Sequence, residues 1–425
     1  MSLLSATAPP GQLLTSDQAD ALIRQACGSL GCQGKKVLLI IPDGTRTAPI
    51  GLAFRAIHAE LGPIARALDV LIALGTHQPM SEQAIRERLE ISESERQGCY
   101  GKVRFFNHAW DRPEALVRVG TLKAEEVREI TGGLFAMDVP VEVNRLLFDY
   151  DQVIIVGPVF PHEVVGFSGG NKYLFPGVGG PQILNFFHWL GAVITTPRVI
   201  GNQWTPVRRV VDRAGALVDR AKFCFCLVVD GKGLAGLFAG SPEAAWTGAS
   251  ELSRERHIVY KAKPYHTILA CAPPMYDEIW TAGKCMYKLE PVLADSGELI
   301  IFAPHIEEFS LTHGHLITKV GYHCRDYFLR QWERFRDLPW GVLAHSTHVF
   351  GLGDYNDGVE KPRARVTLAT QISPELCHQV NLGYRDPGSI NPASFANREA
   401  EGVLMVPKAG EILYRLTHPP PWASA

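Results

Sequence analysis

The sequence has no apolar run of roughly 18 residues, the length a membrane-spanning helix needs. It has almost no charge imbalance, with 42 Lys and Arg against 44 Asp and Glu and a formal net charge of −2. No bulk electrostatic pull toward nucleic acid or an anionic membrane is therefore expected. The opening residues, MSLLSATAPPGQLLTSDQAD, lack the basic start and long apolar core of a signal peptide. No C-x-x-C pair occurs, and nine scattered cysteines make an odd count. That argues against a disulfide framework and for a reducing, cytoplasmic compartment. Cys224 and Cys226 lie two apart in FCFCLVV, where a strand points both the same way, and read as buried small hydrophobes. H-E-x-x-H is also missing, which weakens a zinc reading of HIEEFSLTHGH with His305, His313 and His315. A polar loop near the site is preferred there.

What is present is an ordinary globular composition, 46% hydrophobic and 20% charged, over 425 residues. Two or three domains fit that length. Thr15 or Ser16 is placed to cap a helix over 17–30, with Ala19, Leu22, Ile23 and Cys27 as its apolar stripe. Strands are predicted over 35–41, 69–74 and 103–106, alternating with helices over 52–68, broken near Gly62-Pro63, and from Ser81 to Leu89. Further on, helices are predicted near 196–222, 244–256, 325–335 and 373–380. Strands are predicted at 223–229, 266–271, 342–350 and 365–369, and a hairpin-like turn region over 231–240. The fold class is α/β: two α/β domains with mostly parallel sheets and the active site in the interdomain cleft. The expected division is 1–262 for cofactor binding and catalysis and 263–425 to complete the substrate pocket. Strand, loop and helix in alternation put Asp43, Thr45, Arg46, His77, Gln78 and His108 just past strand ends, where ligands bind in such sheets.

The densest stretch is DQVIIVGPVFPHEVVGFSGGNKYLFPGVGGPQILNFFHWL, residues 151–190. A buried strand over 153–156 runs into a loop with seven glycines between Gly157 and Gly180. Glycine lets backbone approach a ligand closely, and a single turn needs far fewer. A P-loop is excluded, because Asn171 precedes Lys172 and Tyr173 follows it where Gly and Ser or Thr are required. No G-x-G-x-x-G links strand to helix in this loop, which weighs against a nicotinamide dehydrogenase.

The string PHEVVGFSGGNKYLFPGVGG, followed by a histidine sixteen residues after its lysine, resembles the lactate racemase family. PDGTR, GTHQP and IWTAGK resemble three further motifs of that family. The resemblance implies a nickel-pincer nucleotide, pyridinium-3,5-bisthiocarboxylic acid mononucleotide carrying nickel, attached covalently at Lys172. It implies His188 as the nickel ligand and His108 with His162 as the acid/base pair. Asp43, Thr45, Arg46, Gly169 and Gly170 are then the candidates for holding the cofactor. Lys284 is expected on the substrate carboxylate, with His77, Gln78, Trp280 and Thr281 lining the substrate pocket.

The implied reaction interconverts the two configurations of a 2-hydroxy acid. One histidine takes the hydroxyl proton while hydride leaves Cα for the cofactor, and the hydride then returns to the other face. Two imidazoles suit the two proton transfers because they titrate near working pH. The lactate enzymes carry an arginine where this chain has Gln78, and a tyrosine and glutamine where it has Trp280 and Thr281. These departures point away from plain lactate toward a sugar acid or another larger 2-hydroxy acid. The expected partners are that acid and the cofactor-biosynthesis proteins, with no nucleic acid or membrane, and a homodimer left open. The alternative is a non-catalytic nickel- or nucleotide-binding protein of the same fold.

Overall fold

A computed structural model describes residues 2–231 and 233–423. Two compact units emerge from its contacts. The first comprises Met1–Phe160, Ser168–Leu184 and Arg208–Arg256, and the second Pro161–Phe167, Asn185–Val207 and His257–Ala425. The division is thus more than one cut near residue 262. Two short segments around the glycine-rich stretch belong with the later half of the chain, and no change in composition marks them.

The first unit is built on a seven-stranded sheet. Its spatial order is Leu4–Thr7, Gly233–Gly240, Ala221–Asp230, Gln152–Pro158, Lys36–Pro42, Ala67–Ala73 and Phe105–Asn107. The five strands from Ala221–Asp230 to Phe105–Asn107 are parallel, and the other two join antiparallel. Val37, Leu39 and Ile41 pack in one core with Val70, Ile72, Ile154, Val156, Phe225 and Leu227. The intervening Leu38, Ile40 and Ile155 are equally buried. A parallel strand covered on both faces reads as a continuous apolar run, which is why KKVLLII was legible as a strand.

The helix Ser16–Gly28 starts where its cap predicts. The Thr15 side chain accepts the Gln18 N–H, and the Gln18 side chain accepts the Thr15 N–H in return. Ser81 likewise caps Glu82–Leu89. The helix Ile50–Leu61 stops at Gly62, one residue before Pro63.

One expectation is sharpened here and one fails. The hairpin-like region over 231–240 is the turn and second strand of a β-hairpin. Gly231 turns the chain at φ +59° and Gly233–Gly240 returns as a full antiparallel strand. The G-x-G-x-x-G spacing at Gly231, Gly233 and Gly236 lies in this hairpin, without the strand-to-helix turn a dinucleotide site needs. The expectation that fails is the strand over 342–350. These residues belong to the helix Trp340–Phe350, whose residues from Gly341 onward are all buried. A helix apolar on every side has no stripe, so periodicity cannot separate it from a buried strand.

The second unit holds a five-stranded, all-parallel sheet in the order Gly383–Tyr384, Arg365–Ala369, Leu293–Phe302, Tyr265–Cys271 and Val403–Val406. Leu269, Ile300 and Ala369 centre one of its cores. Both units are α/β with mostly parallel sheets, as expected. Among the described residues, no helix is long and apolar enough to cross a membrane.

Candidate functional site

In the first unit the expected residues gather past the carboxyl ends of four neighbouring parallel strands. Asp43, Thr45 and Arg46 follow Lys36–Pro42, and His77 with Gln78 follow Ala67–Ala73. His108 follows Phe105–Asn107, and the Lys172 loop follows Gln152–Pro158. Loops there are set by the sheet and free of its hydrogen-bond ladder, so they can present side chains to a ligand.

Asp43 is the anchor of this group. Its Oδ2 lies 2.5 Å from His77 Nδ1, and its Oδ1 accepts the Thr45 N–H at 3.0 Å and the Thr45 hydroxyl at 2.7 Å. Burial alone would raise the Asp43 carboxyl. The neighbouring His77 ring, with hydrogen bonds from His77 and Thr45, outweighs burial and holds it well below the usual carboxylate range. A carboxylate fixed on Nδ1 sets the imidazole's orientation and tautomer and leaves Nε2 to meet a substrate. The His77 side chain keeps 29% of its surface exposed.

His108 is placed very differently. Only 2% of it is exposed, and both ring nitrogens are engaged. Nε2–H donates to the Gly179 carbonyl at 3.1 Å, and Nδ1 accepts from the Asn144 side-chain amide at 3.1 Å. Burial pushes its pKa down to about 4. The ring therefore braces the far end of the glycine loop as a neutral crosslink.

That depression has a consequence for stability. Unfolded, His108 takes a proton at its ordinary value of 6.5; folded, only near 4. The contribution is complete above pH 6.5, is lost as pH falls toward 4, and is worth at most about 3 kcal/mol. Urea midpoints measured across that interval should drop with falling pH, and His108→Gln should flatten this part of the curve. An unchanged slope in the variant would contradict the neutral crosslink.

Lys172 sits in a short 3-10 turn, Gly170–Tyr173. Gly169 and Gly170 adopt φ values of +90° and +58°, the left-handed region that glycine alone enters without strain. The Tyr173 ring lies so close over Gly157 that a Cβ there would meet it at 2.3 Å. Arg46 contributes a buried Nη1 that makes no hydrogen bond among the described residues. A buried guanidinium nitrogen without an acceptor fits a phosphate or carboxylate oxygen.

In the second unit, His162 lies in a two-residue strand, Pro161–His162, paired with Gly166–Phe167. Its Nδ1 accepts the Val164 N–H at 3.2 Å, so the neutral ring carries its proton on Nε2. The Glu163 carboxylate stands 3.5 Å from the same Nδ1. His188, on the helix Pro181–Ile194, stacks on Phe187 with centroids 4.7 Å apart. Lys284 is buried, its Nζ 4.6 Å from the Tyr276 ring centre. Thr281 is turned inward, its hydroxyl donating to the Glu278 carbonyl at 2.9 Å.

Trp280 packs against two imidazoles, His313 at 4.5 Å and His345 at 4.2 Å between ring centres. His345 is held between the Tyr287 hydroxyl at 3.0 Å and the Tyr322 hydroxyl at 3.3 Å. Burial, and then the neighbouring His348, His313 and His188, push its pKa well down. His345 and His348 were missed in the sequence because the segment carrying them was read as a strand. Of the HIEEFSLTHGH histidines, His305 bonds the Tyr276 carbonyl, His313 stacks on Trp280 and His315 is exposed. Among the described residues, no group of three or more His, Cys, Asp or Glu could hold a metal by itself. A metal at His188 would therefore need further ligands brought by the group that carries it.

Residues 21–199 match the family model described as the lactate racemase N-terminal domain. The curated lactate racemase of Thermoanaerobacterium thermosaccharolyticum is 26% identical over 283 residues, 64% of this chain and 60% of that protein. The match thus spans about three fifths of that relative's length. A crystal structure of a Thermotoga maritima protein is 33% identical, covers 96% of this chain and 100% of its own, and superposes with a TM-score of 0.88. The lactate racemase apoprotein structure from T. thermosaccharolyticum, 20% identical, covers 93% of this chain and 92% of its own at a TM-score of 0.70, a likeness of fold. The family model and the curated relative together mean that residues 21–199 belong to the lactate racemase family as its N-terminal domain.

Proposed function

We propose that the protein interconverts the configurations of a 2-hydroxy acid larger than lactate, using a nickel-pincer nucleotide attached at Lys172. The observation that carries this reading is the glycine loop, with Lys172 in a fixed turn, His162 ten residues before it and His188 sixteen after. When bound, the group supplies nickel and a carbon that accepts hydride.

The residues present fit that group. Arg46 has an unmatched buried N–H for the nucleotide phosphate, and His188 offers an imidazole to nickel. Asp43 and Thr45 are committed to each other and to His77, so their service to the cofactor is indirect.

We assign the proton chemistry to His77 and His162, with His108 as the alternative to His77. With Nδ1 fixed on Asp43, His77 presents the Nε2 lone pair of a base. His162, when its ring is protonated with the Glu163 carboxylate 3.5 Å from Nδ1, offers the Nε2 proton and is the acid. One ring takes the hydroxyl proton of one enantiomer and the other returns a proton to the oxygen of its mirror image. Their roles exchange in the reverse direction. Lys284 takes the substrate carboxylate, and Trp280 lines the side-chain end of the pocket.

Gln78 tests the substrate class. Arginine there would give a carboxylate two charge-assisted bonds, roughly twice as strong as glutamine's neutral ones. Wild type is expected to prefer hydroxylated, branched or aromatic 2-hydroxy acids, and Gln78→Arg to move the kcat/KM ratio toward lactate. Chiral chromatography of a 2-hydroxy acid panel, with protein made beside the cofactor pathway, tests both. Lactate as the best wild-type substrate would end this reading of Gln78. No turnover of any acid by fully loaded protein would end the enzymatic reading.

A further inference from the structure

We infer that Arg208 is a positioning residue for Lys172, acting through a clamp it forms with Trp246 and Asp212; this rests on the proposed attachment at Lys172. The Lys172 N–H donates to the Gly169 carbonyl at 3.2 Å. The same carbonyl accepts Arg208 Nη1 at 3.1 Å, so one oxygen joins the lysine's backbone to the guanidinium. The guanidinium is held on two further sides, by a hydrogen bond from Nε and an ion pair at Nη2. Nε and Nη2 each lie 3.0 Å from a carboxylate oxygen of Asp212, and the guanidinium carbon sits 3.7 Å over the Trp246 ring.

Neighbouring residues of the loop are gripped as well. Trp246 Nε1–H donates to the Ser168 carbonyl at 3.0 Å. The Asn171 amide donates to Asp212 Oδ1 at 3.0 Å and Glu243 Oε1 at 2.7 Å. Space leaves no room for a side chain at either glycine, since a Cβ on Gly169 would stand 2.5 Å from Val159 and one on Gly170 2.8 Å from Arg208 Nη2. Arg208 is 0% exposed. A buried cation with one carboxylate partner, one aromatic face and one loop carbonyl is expensive to place and specific in geometry. Core packing alone would be served as well by an apolar side chain. The planar fork is what a fixed lysine backbone needs, and lysine cannot reproduce it at position 208.

Two variants test this. Arg208→Lys keeps the charge and loses the fork; Trp246→Phe keeps the ring and loses its N–H. In apo protein, hydrogen exchange across residues 169–173 is expected to rise about tenfold or more, with the neighbouring strands unchanged. In protein made beside the cofactor pathway, the fraction of chains carrying a mass adduct at Lys172 is expected to fall about tenfold. Faster exchange with undiminished loading overturns the positioning role, and so does unchanged exchange in a folded variant. Should Arg208→Lys not fold, Trp246→Phe decides alone. Wild type that takes no adduct under the same conditions overturns the attachment at Lys172 itself, a failure distinct from that of Arg208.

Discussion

Lys172→Ala protein, made beside the cofactor pathway, is expected to emerge at its bare polypeptide mass and to interconvert no 2-hydroxy acid. Wild type made in the same cells should be heavier by one mononucleotide adduct. The expectation follows from a lysine in a short turn entered through two glycines at which no side chain would fit. Loss of the attachment point removes the hydride acceptor from every turnover, so the effect is complete rather than graded. Intact-mass spectrometry and a chiral assay on one preparation suffice. An adduct that persists on Lys172→Ala would locate the attachment elsewhere.

The second large effect separates the histidines. His77→Ala and His162→Ala should each lower the rate in both directions by roughly 10²–10⁴-fold, because every turnover uses one ring as base and the other as acid. Asp43→Asn should act through His77. The amide cannot hold the imidazole as the carboxylate does at 2.5 Å, so kcat should fall while cofactor loading stays near normal. His108→Gln should change kcat by less than about tenfold, because the ring's two nitrogens serve Gly179 and Asn144 and not a substrate. Equal losses in the His108 and His77 variants would return catalysis to His108.

The sequence carried the fold well wherever the signal was local. Thr15 and Ser81 cap helices because a cap is a matter of three residues, and KKVLLII is a buried parallel strand because nothing polar interrupts it. Reading failed where burial erased periodicity, as in Trp340–Phe350, and stayed coarse where glycines blurred a strand, as in the hairpin ending in Gly233–Gly240. The candidate site divides in the same way. Lys172, His162 and His188 stand out through spacing along one stretch. The partnership of Asp43 with His77 spans 34 positions and exists only because their two strands lie side by side. For the same reason the bond between His108 in FNHAW and Asn144, 36 positions later, has no local signal. Arg208 had no signal at all, since one arginine in a helix resembles any other until its fork is seen on a carbonyl.

The strand Leu4–Thr7 has a further consequence, for how the chain comes to be folded. Its partner is Gly233–Gly240, with Leu4 opposite Ala239. A ribosome making the chain from its first residue must therefore pass residue 240 before that edge of the sheet can close. Until then the opening segment has no ladder to join, and afterwards an early-made strand shields the hairpin edge that was made last. Pairings of such sequence separation are slow to form and leave edges open to other chains while they wait. Deleting residues 4–7 should thus leave the rest of the sheet able to assemble, yet raise aggregation during synthesis more than it lowers the melting temperature of the finished protein.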